Sequence, residues 1–202
     1  MSEKTLSLTD YKCRVIVHMA AGVPVVFLHG YSYTSSIWQR LSITELLVDK
    51  HVPFLALDMP YGVKSECQPK TRSEETNIAL VREAAQSVFG ATSPVLVGAS
   101  LGGHIAVVYD SRYPVKGLFL SSPTRTLEEA LVKAYANFTF PVRVTWGSED
   151  SIVSGEELRT FVDKLPCGKL SVYEGAGHSA YTQQPERFKR ELLELYAAAE
   201  QA

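Results

Sequence analysis

Short apolar runs alternate with amphipathic segments along most of this chain. Residues 4–8 and 11–18 alternate apolar and polar side chains, which predicts two half-buried strands that form an antiparallel edge hairpin. Continuous apolar runs are typical of strands buried on both faces. They occur at residues 24–28, 52–57, 95–97, 116–121, 142–146 and 169–173.

Amphipathic segments separate these runs and carry apolar residues at helical spacing. They predict helices at residues 36–50, 73–89, 101–113, 127–136, 156–164 and 185–199. The alternation predicts an α/β fold: a mostly parallel, twisted sheet of about seven to eight strands with helices on both faces. Because no repeat or linker divides the chain, residues 1–202 are expected to form a single domain.

In open parallel sheets, ligands bind beyond the carboxyl ends of the strands. The most informative run ends in Gly98-x-Ser100-x-Gly102 and is followed at once by a helical pattern. The two glycines allow a turn that presents the Ser100 hydroxyl above the sheet, close to a helix N-terminus. The alternative is that Ser100 is an ordinary helix N-cap.

Two further residues extend this pattern in chain order. Asp150 follows the run at 142–146, and His178 follows the run at 169–173. A serine hydroxyl needs a base in contact before it becomes nucleophilic, and imidazole is the usual base. The imidazole in turn needs a carboxylate that fixes its tautomer. The order Ser100, Asp150, His178 therefore points to nucleophilic catalysis.

Four separated motifs carry a family resemblance: His29-Gly30, Gly98-Ala-Ser-Leu-Gly102, Gly147-Ser-Glu-Asp150 and Gly177-His178. With them the chain resembles the α/β-hydrolase superfamily. Within it, the chain is most similar to the small, lid-less group typified by CCG1-interacting factor B. Residues 60–65 are similar to that group's Pro-Gly-x-Gly-x-Ser loop, except that Tyr61 replaces the first glycine.

The resemblance implies a role for each motif residue. Ser100 would be the nucleophile, His178 the general base and acid, and Asp150 the residue that orients His178. Glu149 is the alternative acid, but the family pattern favours Asp150. The oxyanion hole would be formed by the backbone N–H groups of Leu101 and Tyr31.

The site is expected to be open, because residues 124–139 are too few for the helical cap that larger members insert there. The loops after the strands supply candidate substrate-binding residues: Tyr33, Arg125, Ile152 and Tyr181. The alternative for Arg125 is a solvated side chain near Glu128 or Glu129. No cofactor and no metal are expected.

Other polar residues are interpreted as structural. Asp58 ends a strand that precedes the nucleophile, so it is expected to accept hydrogen bonds from nearby backbone amides. His29 is expected to shape its loop, and His104 to be packed or capped. The three cysteines, Cys13, Cys67 and Cys167, fit neither a metal site nor a disulfide framework, and Cys67 is expected in a polar loop.

Composition excludes several partners. The net charge of −2 gives no basic surface for nucleic acid or an anionic membrane. No run is long enough to span a membrane and no signal peptide is recognised, so a cytoplasmic location is expected. Nothing in the sequence determines the oligomeric state.

The sequence therefore predicts a serine hydrolase that cleaves small carboxylic esters through an acyl-enzyme. Thioesterase, lactonase and peptidase variants of the same chemistry stay open. An alternative from another class is a ligand- or protein-binding module on a hydrolase scaffold with little turnover. A complete Ser100, Asp150 and His178 set favours the enzyme, because a pure scaffold is free to lose one member.

Overall fold

The computed structural model describes all residues from 1 to 202 and contains one mixed sheet. The predicted strands are confirmed, with small shifts at their ends, and one two-residue strand is added. The strands are β1 (Ser2–Leu8), β2 (Tyr11–His18), β3 (Val25–Leu28), β4 (Phe54–Leu57), β5 (Cys67–Gln68), β6 (Val95–Ala99), β7 (Gly117–Ser121), β8 (Val142–Gly147) and β9 (Gly168–Tyr173).

Helices connect these strands and cover both faces of the sheet. They are α1 (Ser36–Arg40), α2 (Ile43–Asp49), α3 (Glu74–Phe89), α4 (Leu101–Asp110), α5 (Glu129–Val132), α6 (Gly155–Asp163), α7 (Ala180–Gln183) and α8 (Pro185–Glu200), with a 3₁₀ turn at Tyr135–Asn137. None of them is both long enough and apolar enough to cross a membrane.

The order of strands in the sheet reverses at β3: successive strands are added on one side of β3 and then on the other. The order is β1-β2-β4-β3-β6-β7-β8-β9, and β5 pairs with β2. All neighbours from β4 to β9 are parallel, whereas β1, β2 and β5 are antiparallel additions. The chain leaves β3 for β4 on one side and returns as β6 on the other, which makes the carboxyl ends of β3 and β6 the expected ligand site.

Two apolar layers hold the sheet between its helices. Alternate strand residues point to opposite faces, so Val26 and Leu28 join one buried cluster while Val25 and Phe27 join the other. The first cluster includes side chains of α3, α4 and α6, and the second includes side chains of α1, α2 and α8. The sheet is therefore buried on both faces, as its continuous apolar runs predict.

Local breaks appear where a continuous helix was predicted. The segment 36–50 forms two short helices, because Ser42 adopts a left-handed conformation (φ 53°) that ends one helix and redirects the next. The segment 127–136 likewise forms only α5 and the 3₁₀ turn. Leu131 and Tyr135 of this segment, and Phe138 just after it, are buried in the first apolar cluster, so the segment packs on the body of the fold instead of covering the sheet edge as a cap.

The expectation for two of the cysteines was wrong. Residues 67–68 pair with β2 in antiparallel register, with Cys67 directly opposite Cys13, and the two sulfurs form a disulfide. Both cysteines are fully buried, so Cys67 is not an accessible thiol of a polar loop. The bond closes a loop across 54 positions, and no local spacing rule could indicate it because only the sheet register brings the residues together.

Asp110, the last residue of α4, carries a carboxylate whose pKa is raised by burial to about 7. The folded protein therefore binds this proton more tightly than the unfolded chain, and the stability falls as pH rises from about 4 to about 7. We expect Asp110→Asn to increase the free energy of unfolding at pH 8 by about 1 kcal/mol, after allowance for solvent screening. Urea denaturation at pH 8 and pH 4 measures this; an equal gain at both pH values would contradict it.

Candidate active site

Ser100 occupies the sharp turn between β6 and α4. Its backbone has φ 52° and ψ −116°, a conformation that L-residues rarely adopt. The turn requires glycine on both sides of the serine. A Cβ on Gly98 would lie 2.5 Å from the Gly102 carbonyl oxygen, and a Cβ on Gly102 would collide with the carbonyl oxygens of Leu28 and His29. This strand-turn-helix geometry is what the Gly98-x-Ser100-x-Gly102 spacing predicts.

A hydrogen-bonded chain joins Ser100, His178 and Asp150. The Ser100 Oγ lies 2.9 Å from the Nε2 of His178, and the Nδ1 of His178 lies 2.9 Å from Asp150 Oδ2. The loops after β6, β8 and β9 bring these residues together: the contact of His178 with Ser100 bridges 78 positions of the chain, and its contact with Asp150 bridges 28. The carboxylate favours the tautomer in which Nδ1 carries the proton and Nε2 accepts.

Asp150 is held by its own loop. Its Oδ1 accepts hydrogen bonds from the backbone N–H groups of Ile152 (2.8 Å) and Val153 (3.0 Å), and its side chain is fully buried. Burial acts to raise the pKa of Asp150, but these donors and His178 outweigh it, so the pKa lies below the ordinary value. An ionised carboxylate therefore faces the imidazole.

The two predicted oxyanion donors lie beside Ser100. Leu101 is the first residue of α4, and the first hydrogen bond of this helix runs from the His104 N–H to the Ser100 carbonyl. The Leu101 N–H therefore has no acceptor within the helix. Gly30, which precedes Tyr31, is so close that a Cβ on it would lie 3.7 Å from Ser100 Cβ. The N–H of Tyr31 donates to no backbone or side-chain acceptor.

Buried side chains hold the loop that carries Tyr31. The His29 Nδ1 donates to the Gly30 carbonyl at 2.8 Å, and its Nε2 accepts the Met59 N–H at 2.9 Å. Burial lowers the pKa of His29, which keeps the imidazole neutral and suits both bonds. The Tyr61 hydroxyl donates to the His29 carbonyl at 2.5 Å. The structural interpretation of His29 is thus confirmed. Tyr61, which replaces the first glycine of the Pro-Gly-x-Gly-x-Ser loop, supports the same turn through this bond.

Asp58 also has the predicted structural contacts. Its carboxylate is fully buried and accepts the Ser35 N–H at 2.7 Å and the Glu66 N–H at 2.6 Å. Arg14 lies 3.8 Å from one carboxylate oxygen and compensates the charge. Asp58 therefore ties together the start of α1 and the loop after β4, and it does not contact His178.

An open cleft of about 400 Å³ leads to Ser100 and His178. Tyr33, Ile152 and Tyr181 line it together with Tyr31, so three of the four predicted substrate-binding residues meet there. Ile152 is 67% exposed at the rim, whereas Tyr181 is buried and its hydroxyl has no hydrogen-bond partner. Burial raises the pKa of Tyr181, which keeps the phenol protonated.

Arg125 is the predicted residue that the structure does not bring to this cleft. Its guanidinium pairs with Glu128 at 2.5 Å and Glu74 at 3.4 Å, and Glu74 also contacts the buried His104 at 2.6 Å. Glu74, His104 and Glu128 place one ligand-type atom each within 4.8 Å of one another. Arg125 therefore belongs to an ion-pair network with Glu74 and Glu128, which matches the alternative of a solvated side chain near Glu128.

Sequence reasoning missed the cationic residues around the cleft. Arg40, Lys64 and Arg72 line depressions that adjoin it through Tyr31, Ser32 and Tyr33. None of the three directly follows a buried strand, so a search of strand ends does not find them. Ser179 was missed as well, although it follows His178 and its Oγ accepts from the Tyr33 hydroxyl at 3.4 Å.

Comparison with curated proteins finds relatives across most of the chain. The ABHD14A protein of Homo sapiens is 31% identical over 179 residues, which cover 88% of this chain. The human protein named "Putative protein-lysine deacylase ABHD14B" is 25% identical over 176 residues, which cover 85% of this chain and 81% of that protein. The chain spans only 63% and 65% of the length of the ABHD14A proteins of Danio rerio and Homo sapiens.

Comparison with solved structures supports the same fold. The crystal structure of a "predicted CIB-like hydrolase" from Thermoplasma acidophilum superposes with a TM-score of 0.85 at 20% identity, over 96% of each chain. The model of the Alpha/beta hydrolase family matches residues 25–166, which include Ser100 and Asp150. With its parallel sheet and its turn at Ser100, this chain belongs to the α/β-hydrolase family, and the segment between β7 and β8 forms no cap domain.

Proposed function

We propose that this protein is a serine hydrolase that cleaves small carboxylic esters. The observation that carries the proposal is the 2.9 Å contact between Ser100 Oγ and His178 Nε2, with Nδ1 of the same ring held by Asp150. A hydroxyl in contact with an imidazole whose tautomer is set by a carboxylate is the arrangement that activates serine.

In the first half of the reaction, Ser100 Oγ attacks the acyl carbon and His178 Nε2 takes its proton. Negative charge develops on the carbonyl oxygen, where the N–H groups of Tyr31 and Leu101 would stabilise it. Asp150, whose low pKa keeps it ionised, stabilises the imidazolium. His178 then protonates the leaving alcohol, and the acyl group stays on Ser100.

In the second half, water replaces the alcohol. His178 removes a proton from water, the hydroxide attacks the acyl-enzyme, and Ser100 is regenerated with release of a carboxylic acid. No segment covers the cleft, so water reaches the acyl group and hydrolysis is favoured over transfer to another acceptor. The same steps apply to thioesters, lactones and amides.

A second candidate within this chemistry is removal of acyl groups from lysine side chains. The name of the human ABHD14B relative describes that activity for that protein. The observation that favours it here is the open rim, where Tyr31 and Ile152 are 38% and 67% exposed. A lysine side chain on a peptide could reach Ser100 without displacing a cap, and acetyl-lysine peptides therefore belong in the substrate panel.

A panel of 4-nitrophenyl esters of increasing acyl length tests the proposal. Wild-type turnover that is absent in Ser100→Ala is the expected result, and the length profile sizes the pocket. Equal rates in both proteins would contradict the ester proposal. Labelling with a fluorophosphonate then distinguishes an active hydrolase with another substrate from a binding scaffold. A labelled Ser100 without ester turnover indicates a reactive serine whose substrate is not in the panel. An unlabelled Ser100 favours the binding scaffold.

A cytoplasmic location remains a prediction. The buried Cys13–Cys67 disulfide argues against it, because disulfides persist mainly in oxidising compartments.

A further inference from the structure

Three depressions meet at the mouth of the active-site cleft. The cleft with Ser100 and His178 shares Tyr31 with a depression formed by residues 60–63 and 70–72. It shares Ser32 and Tyr33 with another, bounded by Arg40 and Lys64. Together they make one continuous surface on the side of the site formed by the loops after β3 and β4.

Every charged side chain that lines this surface is positive. The four are Arg40, Lys64, Lys70 and Arg72, and no carboxylate lines any of the three depressions. The chain as a whole has 20 lysines and arginines against 22 acidic residues. The excess of positive charge is therefore local to the mouth of the site and does not reflect overall composition.

Three of these cations keep N–H donors available for a ligand. Lys70 does not, because its Nζ donates to the Gly62 carbonyl at 2.9 Å and to the Ser65 hydroxyl at 2.8 Å within its own loop. Arg40, Lys64 and Arg72 are exposed and form no salt bridge. Arg125, by contrast, forms ion pairs with Glu74 and Glu128.

Arg72 directly contacts a residue of the active-site cleft, Tyr31. Its Nη2 donates to the Tyr31 hydroxyl at 3.2 Å, and its guanidinium carbon is 5.9 Å from the centre of that ring. The N–H of Tyr31 is one of the two proposed oxyanion donors. The guanidinium therefore lies at the far end of the side chain whose backbone N–H would hold the reacting carbonyl.

A guanidinium presents paired N–H donors that match a carboxylate. We infer that the preferred substrates are esters that carry a carboxylate several bonds away from the scissile bond, and that Arg72 binds this carboxylate while Arg40 and Lys64 strengthen the attraction. The inference rests on the proposed ester hydrolysis and names the substrate class of that site. Arg72 acts as a specificity-determining residue and takes no part in proton transfer.

Matched ester pairs test the inference. With the anion on the acyl side, 4-nitrophenyl hydrogen glutarate is compared with 4-nitrophenyl methyl glutarate. With the anion on the leaving group, 4-acetoxybenzoate is compared with its methyl ester. In at least one pair we expect wild-type kcat/KM to favour the anion about 10-fold, with the preference falling as salt rises from 0.05 to 0.5 M because exposed charges are screened. The pair that responds identifies the side of the ester that Arg72 contacts.

Variants assign the effect to Arg72. Arg72→Ala is expected to remove most of the anion preference, measured as the ratio of kcat/KM for the anionic ester to kcat/KM for its neutral partner, and Arg72→Lys to restore part of that ratio. Arg190→Ala removes another exposed arginine, on α8 and outside the residues that line this surface, and is expected to leave both rates unchanged. An anion preference that is absent in wild type, or that survives Arg72→Ala, would overturn the inference.

Binding without turnover separates this inference from the proposed function. In Ser100→Ala, NMR titration with ethyl hydrogen glutarate and diethyl glutarate compares an anion with its neutral ester, and Arg72→Ala in that background is expected to equalise them. If wild type hydrolyses neutral and anionic esters equally and no binding preference exists, only the inference fails. If the anion binds through Arg72 and no ester is cleaved, anion recognition stands and the proposed hydrolysis fails.

Discussion

Replacement of His178 by alanine is expected to lower kcat for ester hydrolysis by about 10⁴- to 10⁶-fold, as much as Ser100→Ala. His178 is the only side chain within hydrogen-bond distance of Ser100 Oγ, so no other group can take its proton. Because the two residues act as a unit, the double variant is expected to be no worse than either single variant. Initial rates with a 4-nitrophenyl ester measure all three.

His51→Ala is the matched control for that experiment. His51 is exposed at the end of α2 and forms no side-chain hydrogen bond, so its removal is expected to leave kcat unchanged. Losses that multiply in the Ser100→Ala, His178→Ala double variant would show that the two side chains act independently and would contradict the proposed proton transfer.

Gly102→Ala is expected to lower the free energy of unfolding by about 3 kcal/mol. The new methyl group would collide with the backbone oxygens of Leu28 and His29, at the end of β3, which cannot rotate away as a side chain can. The strain would be relieved only if α4 moved away from the sheet, and α4 is packed into the larger apolar cluster. Urea denaturation gives the change directly.

Gly177→Ala provides the comparison. A Cβ there would have only the Gln183 side-chain oxygen near it, at 4.0 Å, and the backbone is not left-handed. We expect the stability to be unchanged or up to about 1 kcal/mol higher, since alanine restricts the unfolded chain. Similar losses for both glycine variants would mean that the close approach of α4 to β3 is not what requires Gly102.

Much of the fold was predictable because the signals are local. Apolar runs and helical spacing depend only on near neighbours, so the parallel strands from β3 onward and the long helices α3, α6 and α8 were predicted within a few residues, whereas the two-residue β5 was not. The short helix α7 and the break at Ser42 were not predicted. Both span too few residues to show a period, and packing against neighbouring elements decides them.

The residues of the candidate site also differ in how far the local sequence predicts them. Ser100 stands out from local spacing alone, because a strand, two glycines and a helix start enforce one backbone turn. Local spacing does not decide which acid contacts His178, because Glu149 and Asp150 are adjacent. In the structure Asp150 contacts the imidazole, and its loop aims it through the N–H groups of Ile152 and Val153.

By itself, the sequence determined the order of strands and helices, the turn at Ser100 and the family resemblance, because each depends on residues close together in the chain. Only the tertiary structure decided the Cys13–Cys67 disulfide, the ion pairs that hold Arg125, and the unpaired cations around Tyr31. These depend on which distant segments the sheet register and loop packing bring into contact. The positive charge around the cleft could be seen only in the folded structure, because the residues that form it come from separate stretches of the chain.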